Sequence, residues 1–382
     1  MMISKKKAIL YAVILVILTA ILTSTLQIGI GNKVVISEEL YNEYKKYNEM
    51  IALEQLVEDE FYQDVDEEKI VTGAIKGMFD GLNDPYSQYY TEEEFKDLME
   101  QTSGSFVGIG VYIDATPDDE YITIISPIEG SPAEKSGIKP GDKIIKVDDN
   151  IVTSKDSDKA ISMIKGKEGT DVKITLKRNE EILDINVTRE TIVTKTVEYE
   201  SLEDKIGYMQ ITSFSEHTYD EFKSALEQTK NDEGLIIDLR NNPGGLLNVC
   251  QDIADDLIGE GTIVYTKDNK GNTEYLKSDE DKFGKPIVLL TNEGSASASE
   301  ILTAAIVDNE AGISVGTTTF GKGLVQSVRE LNNGTGFKLT TAQYFTPNDE
   351  YINGKGIEPT IVEKNAEKQL DVAIQWIKDQ IK

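Results

Sequence analysis

The spacing of apolar positions divides the chain into a helical part, an alternating part and a mixed part. Residues 37–100 repeat apolar side chains at helical spacing, and Ser37 and Thr91 each precede acidic residues as expected N-caps. Residues 103–189 alternate over short segments separated by Gly and Pro turns, which predicts strands. From about Thr191 onward, continuous apolar strands alternate with amphipathic helices, the pattern of an α/β layer fold.

The first residues predict a membrane anchor. Lys5, Lys6 and Lys7 precede an uncharged apolar segment from Ala8 to Gly31, long enough to cross a bilayer as a helix. Flanking lysines favour an N-terminus left in the cytoplasm and an exported body. The alternative is a cleaved signal peptide, but no clear A-x-A site follows, so we expect an uncleaved single-pass anchor.

Composition narrows the function classes. The chain has 39 basic and 68 acidic residues and a formal net charge of −29, which argues against nucleic acid as a partner. Cys250 is the single cysteine and lies in an amphipathic helical pattern, so we expect a core residue and no intrachain disulfide. With His217 as the single histidine, the usual zinc-ligand sets cannot be assembled, and we expect no metal and no cofactor.

Residues 103–189 resemble a PDZ domain. The segments SFVGIGVYID and GSPAEKSGIKPGDKIIKVDD carry the resemblance. Glycines allow Gly108, Ile109 and Gly110 to turn their N–H groups inward as a nest for a peptide's terminal carboxylate. Ile161 and Ile164 would line the groove. The alternative for a Gly-x-Gly alone is an ordinary turn.

The segment NEGSASASEIL suggests a nucleophile. It lies between a predicted strand and a predicted helix, where unsatisfied helix N–H groups favour a developing negative charge. His217 occupies a polar segment entering a helix, where surface or capping duty is its default. Lysine can act as the base if burial lowers its pKa, and Lys322 lies between two glycines at the start of a strand. Gln326 lies on the same face if residues 322–326 are extended.

These motifs resemble the carboxyl-terminal processing proteases (tail-specific proteases, peptidase family S41). NEGSASASE and FGKGLVQ carry the spacing, and DLRNNPGG, DPYSQYYTEEEF and NGKGIEPTI match further family signatures. The resemblance implies that Ser297 is the nucleophile, Lys322 the general base and Gln326 its orienting residue. Serine–lysine pairs are a known variant of the catalytic triad.

The resemblance also implies an oxyanion hole. Its backbone N–H donors would come from Ala298 and from the PGG turn, where the choice between Gly244 and Gly245 stays open with a slight preference for Gly245. Ser295 and Ser299 are expected to be structural, one capping the helix and one bonding locally.

We therefore expect a multidomain α/β protein. Its parts are a membrane anchor, a helical N-terminal region, a PDZ domain of β-sandwich or barrel-like form, a crotonase-like protease core and a C-terminal helix, over residues 1–31, 32–102, 103–190, 191–365 and 366–382. The helices of 37–100 and 366–382 suit either a homodimer surface or packing on their own core.

The expected function is cleavage of exported proteins at a bacterial cell membrane, with the PDZ domain recognising their C-termini. One rival interpretation is a catalytically silent PDZ adaptor, against which the complete Ser–Lys–Gln set argues. The other is an esterase or amidase of small molecules, for which a peptide groove has no purpose.

Overall fold

The computed structural model describes residues 4–25, 36–116 and 120–382, without the side chains of residues 20–25. The chain divides into two compact units, Met1–Gly77 and Met78–Lys382. In the described residues, no helix combines the length and hydropathy needed to span a membrane. The predicted anchor, Ala8 to Gly31, extends into residues 26–35, which lie outside the described part.

The first unit is helical, as predicted. It contains α1 (Lys5–Thr25), α2 (Glu38–Glu60) and most of α3 (Glu67–Asp80). Ser37 caps α2, because its hydroxyl accepts a hydrogen bond from the Leu40 N–H. No residue of α2 is buried, and an apolar groove runs between Met50, Leu53 and Val57 on α2 and the start of α3.

The second unit contains, near its start, a short strand that the helical pattern did not predict. A short strand, β1 (Gln88–Tyr90), precedes α4 (Glu92–Ser103) and pairs antiparallel with a strand about 250 residues later. The prediction of helix and turn for residues 84–90 was wrong at this point, because a three-residue strand is too short to show alternation. Thr91 caps α4 in a capping box with Glu94, as expected.

A PDZ-type sheet follows. Its strands pair in the order β3-β4-β5-β7-β8, with β6 on β5, and β2 pairs separately with β9. Apolar side chains of its strands and helices, mostly isoleucine, valine and leucine, form its own buried core. The elements are β2 (Ser105–Gly108), β3 (Val111–Asp114), β4 (Ile122–Pro127), α5 (Pro132–Lys135), β5 (Lys143–Val147), β6 (Asn150–Ile151), α6 (Ser157–Ile164), β7 (Asp171–Arg178), β8 (Glu181–Thr188) and β9 (Glu190–Val193).

The remaining chain forms a layered core. A mainly parallel sheet pairs in the order β10-β11-β12-β15-β16-β19 and has helices on both faces. The elements of this sheet and its helices are β10 (Val197–Leu202), β11 (Ile206–Ile211), α7 (Thr218–Gln228), β12 (Gly234–Asp238), α8 (Leu247–Leu257), β15 (Ile287–Thr291), α9 (Ala298–Asp308), β16 (Gly312–Gly316), β19 (Ile361–Val362) and α10 (Ala366–Gln380).

A second, antiparallel sheet was not predicted. It pairs in the order β1-β18-β13-β14, with β17 on β18, and its members are β13 (Gly261–Asp268), β14 (Thr273–Ser278), β17 (Leu324–Glu330) and β18 (Gly336–Phe345). Its half-buried strands mix polar and apolar residues, so they lack the continuous apolar runs of β12 and β15.

The C-terminal helix packs on its own sheet. Ala373 and Ile377 of α10 are fully buried in an apolar cluster with strand residues of the parallel sheet, and Trp376 packs against it. Of the two alternatives left open for residues 366–382, the structure therefore shows packing of this helix face on the chain's own core.

Candidate active site

Ser297 stands at a strained junction between β15 and α9. Its backbone has φ 55° and ψ −113°, a positive φ that L-residues rarely adopt, and it occupies the N-cap position of α9. Strand β15 is buried along its whole length, so the sharp turn delivers one partly exposed serine to the helix N-terminus. The predicted strand, turn and helix are confirmed.

The flanking serines are structural, but neither caps the helix as expected. Both are fully buried. The Ser295 hydroxyl donates to the Leu239 carbonyl at 2.7 Å, and the Ser299 hydroxyl donates to the Asn242 carbonyl at 2.9 Å. These bonds tie the serine loop to the turn after β12, a long-range contact that local capping rules do not predict.

Lys322 lies on a glycine-flanked loop just before β17. Gly321 has φ +88°, and a side chain there would meet the backbone N atoms of Gly356 and Lys355 at 2.7 and 2.9 Å. The Gly354 N–H donates to the Gly321 carbonyl at 2.8 Å. The NGKG sequence at 353–356 therefore packs against the FGKG loop at 320–323 through backbone contacts.

Glu300 joins the serine loop to the lysine loop. Its fully buried carboxylate accepts hydrogen bonds from the N–H groups of Ser297 at 2.8 Å, Lys322 at 2.9 Å and Gly321 at 2.7 Å, and from the Thr319 hydroxyl at 2.6 Å. No prediction from the sequence included Glu300. The available signal was S-x-x-E spacing at a helix start, the pattern of a capping box.

The Lys322 amine is partly shielded from water. Burial lowers the pKa of Lys322, and the nearby positive charge of Lys338 lowers it further, against the opposite effects of the Glu300 and Asp84 carboxylates. The amine nitrogen lies 4.7 Å from the centroid of the Tyr86 ring. Within residues 36–116 and 120–382, no carboxylate forms a salt bridge with this amine.

One cavity collects the predicted residues. Ser297, Lys322 and Gln326 line it together with Gly244, Gly245 and Ala298. Its charged lining residues, in the part of the chain that the structure describes, are Lys322 and Lys338. His217, the competing base, does not line this cavity. The Ser297 hydroxyl and the Lys322 amine share the cavity without a hydrogen bond between them in the described residues.

Gln326 points into the cavity but holds other partners. Its amide nitrogen donates to the Leu324 carbonyl at 3.2 Å and the Thr340 hydroxyl at 3.4 Å. The β17–β18 register shifts between Val325 and Gln326, so simple alternation from Lys322 does not describe this strand. Lys322 and Gln326 nevertheless line the same cavity.

The backbone donors around the cavity differ in availability. The Gly244 N–H donates to the Asn242 side-chain oxygen at 2.8 Å. For the N–H groups of Gly245 and Ala298, no acceptor exists in the described residues. Gly244 instead approaches the serine loop so closely that a side chain there would meet Ser297 Cβ at 2.9 Å. The geometry thus favours Gly245 over Gly244 as the second donor.

Tyr344 and Cys250 form hydrogen bonds with backbone carbonyl groups next to the serine and the lysine. The buried Tyr344 hydroxyl donates to the carbonyl oxygens of Lys322 and Ser297, and its burial raises the pKa of this phenol well above 10. The Cys250 thiol donates to the Ala298 carbonyl at 3.2 Å, and complete burial raises the pKa of the thiol. Cys250 is therefore an inert core residue, as expected.

A second cavity follows the edge of the PDZ-type sheet. Gly108, Ile109 and Gly110 line it, with Ile161 and Ile164 on its apolar wall, where the sequence analysis expected them. Of the three loop residues, Gly110 has a positive φ of 75°, and a side chain there would meet Ser131 Cβ at 2.5 Å. Lys165 at the end of α6 forms salt bridges with Asp97 at 3.2 Å and Glu100 at 2.6 Å on α4.

Comparison with known families agrees with these observations. The model described as Peptidase family S41 matches residues 205–363, the PDZ domain model matches 107–188, and the model of the activating protease CtpB N-terminal domain matches 24–94. The chain is 39% identical to the carboxy-terminal processing protease CtpA of Bacillus subtilis strain 168 over 354 residues, which are 91% of this chain and 76% of that protein.

Two further relatives give the same result. A CtpA-like serine protease of Staphylococcus haemolyticus is 38% identical over 350 residues, 90% of this chain and 70% of that protein. The solved photosystem II D1 C-terminal processing protease superposes with a TM-score of 0.51 and 26% identity, over 86% of this chain and 94% of that chain. The chain belongs to peptidase family S41, as a carboxy-terminal processing protease with a PDZ domain.

Proposed function

We propose that this protease is a serine endopeptidase with a Ser297–Lys322 dyad, and that it cleaves exported proteins whose C-termini bind the PDZ groove. The observation that carries the proposal is the shared cavity. A strained serine at a helix N-terminus faces the same space as a shielded lysine and two backbone N–H groups without acceptors in the described residues.

In the proposed reaction, the Ser297 hydroxyl oxygen attacks the scissile carbonyl and its proton passes to the neutral Lys322 amine. The N–H groups of Ala298 and Gly245 donate to the oxyanion. Collapse of the tetrahedral intermediate breaks the C–N bond, and Lys322 returns the proton to the leaving amine. A water molecule activated by Lys322 then hydrolyses the acyl-enzyme. The amide oxygen of Gln326 orients the lysine amine during these transfers.

Three variants test the dyad. Ser297→Ala and Lys322→Ala should each abolish cleavage of an unfolded protein substrate while the thermal unfolding midpoint stays close to that of the parent protein. Lys277→Ala, at an exposed lysine on β14, is the matched control and should retain full activity. Full activity of either dyad variant would refute the proposal. Covalent labelling of Ser297 by a serine-directed probe also distinguishes the enzyme from a silent adaptor.

The pH profile tests the identity of the base. Because burial and Lys338 lower the pKa of Lys322, the rate should rise toward alkaline pH with an apparent pKa below that of an ordinary lysine, about 10.4. An apparent pKa near that of an ordinary histidine, about 6.5, would point to His217 instead.

We further propose that the chain is anchored in a bacterial cell membrane with its catalytic body outside the cytoplasm. The support is the sequence of three lysines followed by the uncharged segment Ala8–Gly31. Membrane fractionation of the full chain and of a variant lacking residues 1–31, with external protease added to intact cells, tests this. Full-length protein found only in the cytoplasmic fraction would contradict the proposal.

A further inference from the structure

The DPYS sequence at 84–87 lies in the region matched by the CtpB N-terminal domain model, outside the matched protease and PDZ regions, yet it reaches the lysine. Tyr86 presents its ring to the Lys322 amine at 4.7 Å. The same segment continues into β1, where the Tyr90 ring lies 5.9 Å from the amine of Lys338. Each of the two lysines that line the catalytic cavity therefore contacts one ring of this segment.

Two sets of contacts hold this segment against the protease core. The Ser87 hydroxyl donates to the Asp84 carboxylate at 2.5 Å and accepts from the Thr340 N–H of β18 at 3.0 Å. Strand β1 pairs with β18 from Gln88 to Tyr90. The buried Tyr89 packs on Phe79 with ring centroids 6.4 Å apart. Hydrogen bonds and packing therefore fix the backbone on both sides of Tyr86, and its own N–H donates to the Asp84 carboxylate at 3.1 Å.

An aromatic ring suits a lysine that must lose its proton. A salt-bridging carboxylate would hold the amine in its charged form, as Asp97 and Glu100 do for Lys165, whose pKa they raise against the effect of burial. A ring face attracts the charged amine more weakly and also excludes water from it. It can therefore fix the direction of the amine while burial keeps the neutral form accessible.

Other charged groups also face this amine. Lys338 projects from β18, Glu300 from α9 and Asp84 from the DPYS segment itself. Burial alone would raise the pKa of Asp84, but hydrogen bonds, chiefly from Ser87, and the charge of Lys322 hold it below its ordinary value. Asp84 therefore stays ionised, and its carboxylate is occupied by the Ser87 hydroxyl and the Tyr86 N–H.

We propose that Tyr86 is a positioning residue for the general base: its ring, held by Ser87 and β1 against β18, directs the Lys322 amine within the catalytic cavity. This inference rests on the proposed Ser297–Lys322 dyad. It gives a task to a motif that precedes the PDZ domain in the chain.

The test compares Tyr86→Leu with Tyr86→Phe in the full chain, using Tyr275→Leu on β14 as a control for the same change at an exposed tyrosine. Steady-state kcat and KM on a protein substrate are measured from pH 6 to 11, roughly the range over which the apparent pKa of a lysine base would lie. Leucine removes the ring face, so the charged amine loses its partner. The acid limb of the pH–rate profile, where the rate rises as the lysine loses its proton, should therefore move to lower pH by about 0.5–1.5 pH units.

The same variant should lower the plateau kcat about tenfold or more with a smaller change in KM, because the amine is no longer directed. Tyr86→Phe keeps the ring and should retain both the limb and kcat within about threefold. Tyr275→Leu should match the parent protein.

Three outcomes would overturn the inference: a Tyr86→Leu enzyme with unchanged kcat and limb, a reduced kcat without any movement of the limb, and a Tyr86→Phe enzyme as impaired as Tyr86→Leu. The Lys322→Ala variant separates this failure from that of the dyad. If Lys322→Ala is inactive while Tyr86→Leu behaves like the parent, the dyad stands and the role of Tyr86 falls.

Discussion

Two partly buried lysines in neighbouring regions of this molecule have opposite environments. Lys165, at the peptide groove, pairs with Asp97 and Glu100, and these carboxylates raise its pKa although burial alone would lower it. Lys322, in the catalytic cavity, has no salt bridge in the described residues, and burial together with Lys338 lowers its pKa. Burial alone therefore does not decide the direction in which the pKa of a lysine shifts. The absence of a paired anion leaves the neutral amine accessible.

The peptide groove and the catalytic cavity adjoin, and each contains a glycine that lets the backbone approach other groups closely. Gln101 and Ser213 line both the groove and the catalytic cavity. In both places glycines let the backbone approach other groups closely, at Gly110 and at Gly245. The groove has a glycine-containing backbone loop and apolar side chains, which suit the binding of a chain end. The cavity adds a strained serine and a lysine that forms no salt bridge in the described residues, which suit chemistry.

The largest effect on kcat is expected from a substitution at Gly245 in the cavity, and it should differ from the effect of the same substitution at Gly110 in the groove. In Gly245→Ala the new methyl group would meet the Phe214 carbonyl, and φ is +150°, so the turn must shift and move its free N–H. We expect kcat to fall by about 10²–10³ for every substrate. Gly110→Ala should instead raise KM for substrates with a free C-terminus. Kinetics on a protein and on a short C-terminally blocked peptide, with melting curves as a folding control, check this. Equal effects of both variants on the blocked peptide would remove the distinction.

The next largest effect is expected on removal of the Glu300 carboxylate, which joins the serine loop to the lysine loop. Glu300→Ala leaves three N–H groups and one hydroxyl without their acceptor in a buried place. Because each such group costs about 1–3 kcal/mol, the four together should lower the free energy of unfolding by at least about 4 kcal/mol, and kcat should fall about 100-fold.

Glu300→Gln is the matched variant for this site. It keeps one carbonyl acceptor and should lose less stability than Glu300→Ala in chemical denaturation. Stability unchanged in both variants would mean that Glu300 does not hold the loops together.

A smaller effect is expected from the substrate side. Amidation of a substrate's C-terminus removes the carboxylate that the Gly108–Gly110 loop is proposed to bind. Charge-assisted hydrogen bonds contribute about 1.5–3 kcal/mol, so KM should rise by about 10–100-fold with little change in kcat. Identical KM values for free and amidated peptides of one sequence would show that the groove does not read the terminal charge.

The smallest effect concerns the second lysine of the cavity. Lys338→Met removes a positive charge that lowers the pKa of Lys322, so this pKa should rise and less amine should be neutral at pH 7. The rate at neutral pH should therefore fall by about two- to tenfold, while the alkaline plateau stays unchanged. A limb that moves to lower pH, or not at all, would contradict this assignment of charges.

Much of the fold followed from local pattern. Ser37 and Thr91 cap their helices, β12 and β15 are buried apolar strands, and the PDZ-type strands occupy the predicted region, because capping and periodicity act over a few residues. The antiparallel sheet of β1, β18, β13 and β14 escaped prediction. Its register joins residues 88–90 to 336–338, and no short window of sequence contains that pairing.

For the proposed active site, the residues alone supplied candidates: serines at a strand-to-helix junction and a lysine between glycines. The resemblance to peptidase family S41 then selected Ser297 and Lys322 among them. The surroundings of these two residues depend on the folded chain. In the folded chain, Ser295 and Ser299 are buried and donate to carbonyl groups distant in sequence. The Glu300 carboxylate accepts hydrogen bonds from both the serine loop and the lysine loop.

In the folded chain, the Gly244 N–H donates to the Asn242 side chain, whereas the Gly245 N–H has no acceptor in the described residues. Folding also brings the Tyr86 ring next to the Lys322 amine. The physical reason is that pKa, strain and hydrogen-bond satisfaction depend on atoms that meet only when the chain has folded, whereas helix caps and strand periodicity are properties of adjacent residues.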